Sequence, residues 1–411
     1  MQRLLALPKP YLIVLAAAFV AAATVFSTTV TAVLTTGLDP NLADKDFANY
    51  WMASKLLLSG KVLDLFGPWA IYFGHLREAF GSDYPWHNWS YPPHFLLMIW
   101  PLGFFGYEAS LLLFLAATGV LFLYAYRTFI GEQNLVAWIA VVPFVVLNFW
   151  MAQNGYLCAA LALGALALRE RRPVMAGVLL GLLTVKPQLG VLFPFLLLAE
   201  RRWTVIASAS VSSFALVAAS AAIFGLDTWR GYFQHVLPYQ AFVMQDIRGA
   251  TLAMMPSIYA TLRNWHVAPD LALAGHLAVA VPVALIIIVG FFRLACRDDR
   301  SVLLLIGTFI VTPYALTYDL GLFAAAIGLM ATKQGSALPD NRIRAAILAL
   351  AMLVPLLMIP LGLMRVPLAT AIIFAVFFVA LRDGGLMATL RRRETINAST
   401  TPSPGAVTDL P

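Results

Sequence analysis

Long apolar blocks separated by short polar stretches run from Tyr11 almost to the end of the chain. They fall near residues 11–33, 92–107, 108–127, 134–150, 155–168, 174–199, 203–224, 270–292, 301–313, 319–332, 343–363 and 366–382. A helix needs about 20 apolar residues to cross a hydrocarbon core of about 30 Å. The pattern therefore predicts an all-α polytopic membrane protein of about 10–13 transmembrane or re-entrant helices. Several blocks are too short for a full crossing. Irregular backbone at membrane depth is tolerated only where it lines a cavity or is buried in protein, so the short, Pro-broken blocks predict a hollow.

Polar stretches mark the loops. Residues 34–91 gather six acidic residues, two His and four Trp between the first two blocks. Within them, Phe47, Tyr50, Trp51, Leu57 and Leu58 follow a 3.6-residue period, as do Phe66, Trp69, Ala70, Phe73 and Phe80. Two amphipathic helices lying in the interface are expected there, punctuated by Gly60 and Gly67-Pro68. A second polar stretch, 225–270, reads as another loop, and 391–411 as a disordered tail. Residues 1–390 are expected to form one membrane domain.

Composition agrees with the pattern: 61% of the 411 residues are hydrophobic and only 11% charged, with a mean hydropathy of +0.83. The net charge of +7 does not point to nucleic acid. Its basic residues stand in short patches between apolar blocks (Arg169/Arg171/Arg172, Arg201/Arg202, Arg293/Arg297/Arg300, Arg391/Arg392/Arg393), as the positive-inside rule predicts. The acidic first loop is then external. Arg3 and Lys9 precede an apolar run of about 23 residues, longer than the ~7–15 of a signal-peptide core, so a first membrane helix with its N-terminus inside is expected. The parity stays open. If every block crosses once, Arg169–Arg172 lies outside; if 92–107 and 174–199 are re-entrant, it returns inside. Cys158 and Cys296 read as packing residues.

Candidate chemistry sits at the block boundaries. Asp46, or its neighbour Asp44, is placed to accept a proton from an attacking hydroxyl, or to cap the helix starting at Phe47. Lys186-Pro187-Gln188 interrupts an apolar stretch. An intramembrane cation is a functional hypothesis by default, against a Lys snorkelling beside a kink. An anionic lipid phosphate would satisfy it. Gln153-Asn154-Gly155 lies between two apolar blocks and reads as a plain turn. Tyr318-Asp319 reads either as a phenol and a carboxylate at a cavity edge or as a loop Asp satisfied by its neighbours. Trp86, Trp89 and Tyr91 are interfacial aromatics or sugar-stacking faces. His75, His87 and His94 lack metal-ligand spacing. No nucleotide fingerprint or Gly-x-Ser-x-Gly elbow appears, so no soluble nucleotide domain carries a donor.

Assembled in order, these residues resemble the polyprenol-phosphate-sugar-dependent glycosyltransferases of family 87, in the GT-C superclass. The resemblance rests on Asp46-Phe47-x-x-Tyr50-Trp51, on Tyr91-Pro92-Pro93-His94-Phe95, on Ala176-Gly177-x-Leu179-x-Gly181 leading to Lys186-Pro187-Gln188, and on Pro313 with Tyr318-Asp319. It implies a GT-C-type bundle and an inverting transferase that needs no metal or cofactor and works on the external face of a bacterial inner membrane. The donor would be a polyprenyl-phosphate-linked mannose or other hexose, and the acceptor a lipid or cell-envelope glycan. It implies Asp46 (or Asp44) as base, with Lys186, Arg248 and His94 as candidates for the donor phosphate. Trp89, Tyr91, Asn154, Gln188, Tyr318 and Asp319 are candidates for sugar and acceptor. The competing expectation is a transporter or flippase of polyprenyl-linked sugars, which needs the cavity but no base; no inverted repeat supports it.

Overall fold

The computed structural model describes residues 9–36, 46–85, 88–131, 135–332 and 341–386. Asp44, Trp86, His87 and the tail 391–411 lie outside the described residues. Five helices among those described are long and apolar enough to cross a membrane, at Lys9–Thr28, Tyr107–Ile130, Trp203–Phe224, Pro269–Arg293 and Arg342–Leu363. Shorter helices, Gly155–Leu168, Arg297–Val311 and Gly321–Thr332, sit at the centre and are buried along most of their length. Neighbouring helices rather than lipid cover these apolar residues, which is why Gly155–Leu168 and Gly321–Thr332 show no amphipathic face in their sequence.

The segment from Pro173 to Ala199 does not cross. A helix, Pro173–Leu182, tightens into a 3-10 turn at Leu183–Val185, and the chain reverses at Lys186 before Phe193–Ala199 returns. Pro187 causes the break. It has no N–H to continue the helix and bars its predecessor from helical geometry, and Lys186 sits at φ −133°, ψ 74°. The residues at the two ends of the segment meet. Arg169 forks onto Glu200 at 2.8 and 3.1 Å, Arg202 pairs with Glu170, and Arg297 donates to the carbonyls of Leu166 and Ala167. The open parity is thereby resolved: Arg169–Arg172 and Arg201/Arg202 share one end of the bundle.

The hairpin is held from outside by close helix packing. A Cβ at Gly177 would stand 2.6 Å from the Val205 carbonyl oxygen, and one at Gly181 would collide with the Ser212 side chain. Small residues four apart let two backbones approach where lipid offers no hydrophobic drive. Pro93–Phe104 is likewise a broken segment whose two flanks touch the same helix. Tyr91 bonds Tyr50 at 2.9 Å, and the Phe105 carbonyl accepts from Trp51 Nε1 at 3.1 Å.

Three expectations need correction. The first loop holds three helices, Phe47–Leu58, Val62–Phe66 and Trp69–Phe80. The first of these is not a raft on lipid: Phe47 and Tyr50 are wholly buried against Tyr107, Phe95 and Phe114. Each such ring pair contributes about 0.5–1.5 kcal/mol. Residues 225–270 are helical over much of their length, including Leu226–Gly231, Leu237–Asp246 and Ile258–Asn264. Cys158 is buried as expected, but Cys296 is exposed.

Candidate active site

Opposite the basic end, the bundle opens into a cavity of about 970 Å³. Asp46, Asn49 and Tyr50 line it from the first-loop helix, and Asn88, Ser90 and Tyr91 from the following strip of chain. Gln153 enters from the turn between two bundle helices, Lys186 and Gln188 from the hairpin tip, and Thr312, Tyr314 and Tyr318 from the turn after Arg297–Val311. Tyr239, Gln240 and Met244 close it from Leu237–Asp246. A second cleft, beside Trp265 and Arg365, holds about 20 Å³, room for about one water.

Asp46 occupies the position before the Phe47–Leu58 helix but makes no capping bond to it. Its Oδ2 accepts instead from Gln153 Nε2 at 2.5 Å. Gln153 Oε1 in turn accepts from Tyr50 Oη and, at 3.1 Å, from the Asn154 backbone N–H. Tyr50 and Tyr91 share a hydrogen bond of 2.9 Å. Burial holds both phenols above their usual range. On Tyr91, Lys186 pulls the other way and Asp46 adds a smaller push upward, so this phenol feels both charges of the site.

Lys186 Nζ donates to Asp319 Oδ1 at 2.7 Å and stands 4.4 Å from the centre of the Tyr318 ring. Asp319 Oδ2 accepts from the Leu316 N–H at 3.1 Å, which closes the turn. The two halves of the site are pressed together at Gly155, where any Cβ would overlap the Tyr318 carbonyl oxygen. Only glycine lets the Gln153 turn and the Tyr318–Asp319 turn touch. Among the described residues, no group of three or more His, Cys, Asp or Glu stands together as a metal site.

The expected site residues divide. Asp46, Tyr91, Lys186, Gln188 and Tyr318 border the cavity, and Asp319 reaches it through Lys186. Trp89 is fully buried, nearly parallel to Phe95, and does not border the cavity. Asn154 is also fully buried, its side-chain amide without a partner. His94 bonds Thr184 at 3.2 Å and stacks on Trp229, supporting the hairpin tip from behind. Arg248 is exposed and pairs with Asp246 outside the cavity lining. The residue missed in the sequence is Gln153, whose Gln-Asn-Gly context reads as a plain turn and whose partner lies 107 positions away.

The family model of glycosyltransferase family 87 matches residues 89–317. No curated protein and no solved structure matches the chain. The match takes in Tyr91, Gln153, Lys186 and Tyr314, and the fold sets Asp46, which precedes it, into the same cavity. Since the match covers more than half of its length, this apolar, multi-helix chain belongs to glycosyltransferase family 87.

Proposed function

We propose that this membrane glycosyltransferase moves a hexose, mannose first, from a polyprenyl-phosphate-linked donor to a hydroxyl of a lipid or cell-envelope glycan, inverting the anomeric centre. The observation that carries the reading is the placing of one carboxylate and one ammonium on the wall of a single cavity, Asp46 held by Gln153 and Lys186 at a hairpin tip. Asp46 takes the proton of the acceptor hydroxyl as that oxygen bonds to the sugar C1. The bond from C1 to the phosphate oxygen breaks, and its electron pair leaves on polyprenyl phosphate. Lys186 offers three N–H donors, of which Asp319 uses one, and the others balance the growing phosphate charge. Asn49, Asn88, Gln188 and Gln240 supply amides for sugar hydroxyls. Positive-inside asymmetry supports a cytoplasmic arginine-rich end, and with it a cavity that faces outward, beside the outer leaflet.

The test is transfer of label from polyprenyl-phosphate-mannose to a lipid extract by purified protein. Asp46→Asn keeps an oxygen for Gln153 to bond, so the protein should fold. It should lose about 10²–10⁴-fold in rate, the usual worth of a general base. Equal turnover by wild type and variant would refute Asp46 as the base. Failure with mannose, glucose and arabinose donors alike would refute the transferase reading.

A further inference from the structure

We propose that Gln153 is the positioning residue of the base: its amide holds the Asp46 carboxylate in one orientation, and Tyr50 and Tyr91 lock that amide. The inference rests on the reading of Asp46 given above.

A side-chain amide can be turned end for end without changing its shape, so its orientation must be read from its partners. The Asn154 backbone N–H can only donate, and it faces one end of the Gln153 amide at 3.1 Å. That end is therefore Oε1, and the Tyr50 hydroxyl donates to the same atom. The opposite end is the NH₂, facing Asp46 Oδ2. Tyr50 has one proton and has spent it on Gln153, so in the 2.9 Å bond between the phenols Tyr91 is the donor. The bonds run one way: Tyr91 to Tyr50, Tyr50 to Gln153, Gln153 to Asp46. The last bond holds one carboxylate oxygen of Asp46 and so sets how the group is turned in the cavity.

The turn carrying Gln153 is itself held against its preference. Ala152 sits at φ 52°, a conformation that persists only where the surroundings impose it. Asn148 Nδ2 bonds the Gln153 carbonyl at 3.3 Å, and the missing Cβ at Gly155 seats the turn on Tyr318. A residue needed only to fill space would not require this setting.

Gln153→Glu provides the discriminating test. It keeps the shape and the acceptor oxygen but replaces the NH₂ with an oxygen, which can donate to Asp46 only when protonated. Around Asp46, the phenols of Tyr50, Tyr91, Tyr314 and Tyr318 are all held above their usual range by burial and stay neutral between about pH 5 and 8. Lys186 and Asp319 are paired with each other in variant and wild type alike. The new carboxyl and Asp46 then share one proton at low pH and repel once both ionise. The ratio of Gln153→Glu to wild-type kcat should rise about tenfold or more as pH falls from about 8 to 5.5, a shift typical of a misplaced catalytic group being restored. Gln153→Ala should lose about 10–100-fold in kcat with KM nearly unchanged and no recovery at low pH.

Wild-type kinetics in both variants, with Asp46→Asn inactive, would overturn the positioning role and leave the base reading intact. An active Asp46→Asn would sink the base reading instead. Melting in detergent tests the contact without turnover. A shared proton raises the folded-state pKa, so stability is present below the unfolded carboxyl value of about 4.3 and lost as pH rises. Gln153→Glu should melt below wild type at about pH 8, approach it toward pH 5, and lose the difference when Asp46→Asn is added. Identical melting curves at every pH would overturn the contact.

Discussion

Lys186 is 6% exposed and Asp319 3%, and both are set inside a bundle whose neighbouring segments are apolar. A lone cation at such depth costs about 2.5–3.5 kcal/mol on insertion scales, and the Asp319 carboxylate offsets that charge. Asp319 cannot swing away freely, because its second oxygen closes its own turn on Leu316. On the proposed reading, a donor phosphate would add to the remaining donors of Lys186 rather than replace the carboxylate. Lys186→Met leaves Asp319 buried and unpaired, which costs about 3–5 kcal/mol. Adding Asp319→Asn should restore most of the melting temperature but none of the transfer activity. Full activity in the double variant would show that the ammonium serves only stability.

At the scale of elements, glycines decide how closely the pieces of the candidate site approach. The Gly177 and Gly181 positions of the family-like motif carry no chemistry; they let the Pro173–Leu182 helix lie on Trp203–Phe224, with Ser208 Oγ bonding the Val174 carbonyl at 2.7 Å. Gly177→Leu should therefore disrupt folding of the hairpin, with a loss of about 1–3 kcal/mol or more from overpacking. Gly190→Ala makes a contrasting control, since a Cβ there meets its nearest neighbour at an ordinary 3.4 Å. The pair can be compared by yield and melting temperature in detergent. These elements also mark what was legible beforehand. Hydropathy exposes membrane segments because lipid demands a long apolar run, and a Lys-Pro inside one stands out for the same reason. Asp46 was visible as a carboxylate at the start of an aromatic helix. Gln153 was not, because its role depends on a contact 107 residues distant. Trp89 misled, since an aromatic beside polar residues reads alike whether it faces a sugar or, as here, Phe95.

For the whole molecule, the two broken segments decide how the chain threads the bundle. Pro93–Phe104 and Pro173–Ala199 turn back, and both ends of the described chain lie on one side, Tyr11 beside Arg344 and Arg344 bonded to Asp383. Arg169 carries this arrangement. Its guanidinium is 1% exposed and bonds Glu200, the Leu166 and Arg297 carbonyls and Ser301, tying the hairpin to two central helices. The clasp at one end fixes the depth of Lys186 at the other, because a 14-residue helix such as Gly155–Leu168 spans only about 21 Å. Single cysteines test the threading directly, once exposed Cys296 is changed to Ser; buried Cys158 can stay. Arg171→Cys and Arg201→Cys, before and after the hairpin, should both react only when a membrane-impermeant maleimide reaches the cytoplasmic face. Glu78→Cys, on the first-loop helices, should react only from the opposite face. Labelling of Arg171→Cys and Arg201→Cys from different sides would mean that 173–199 crosses after all, which would carry Lys186 away from the cavity and end the case for its role there.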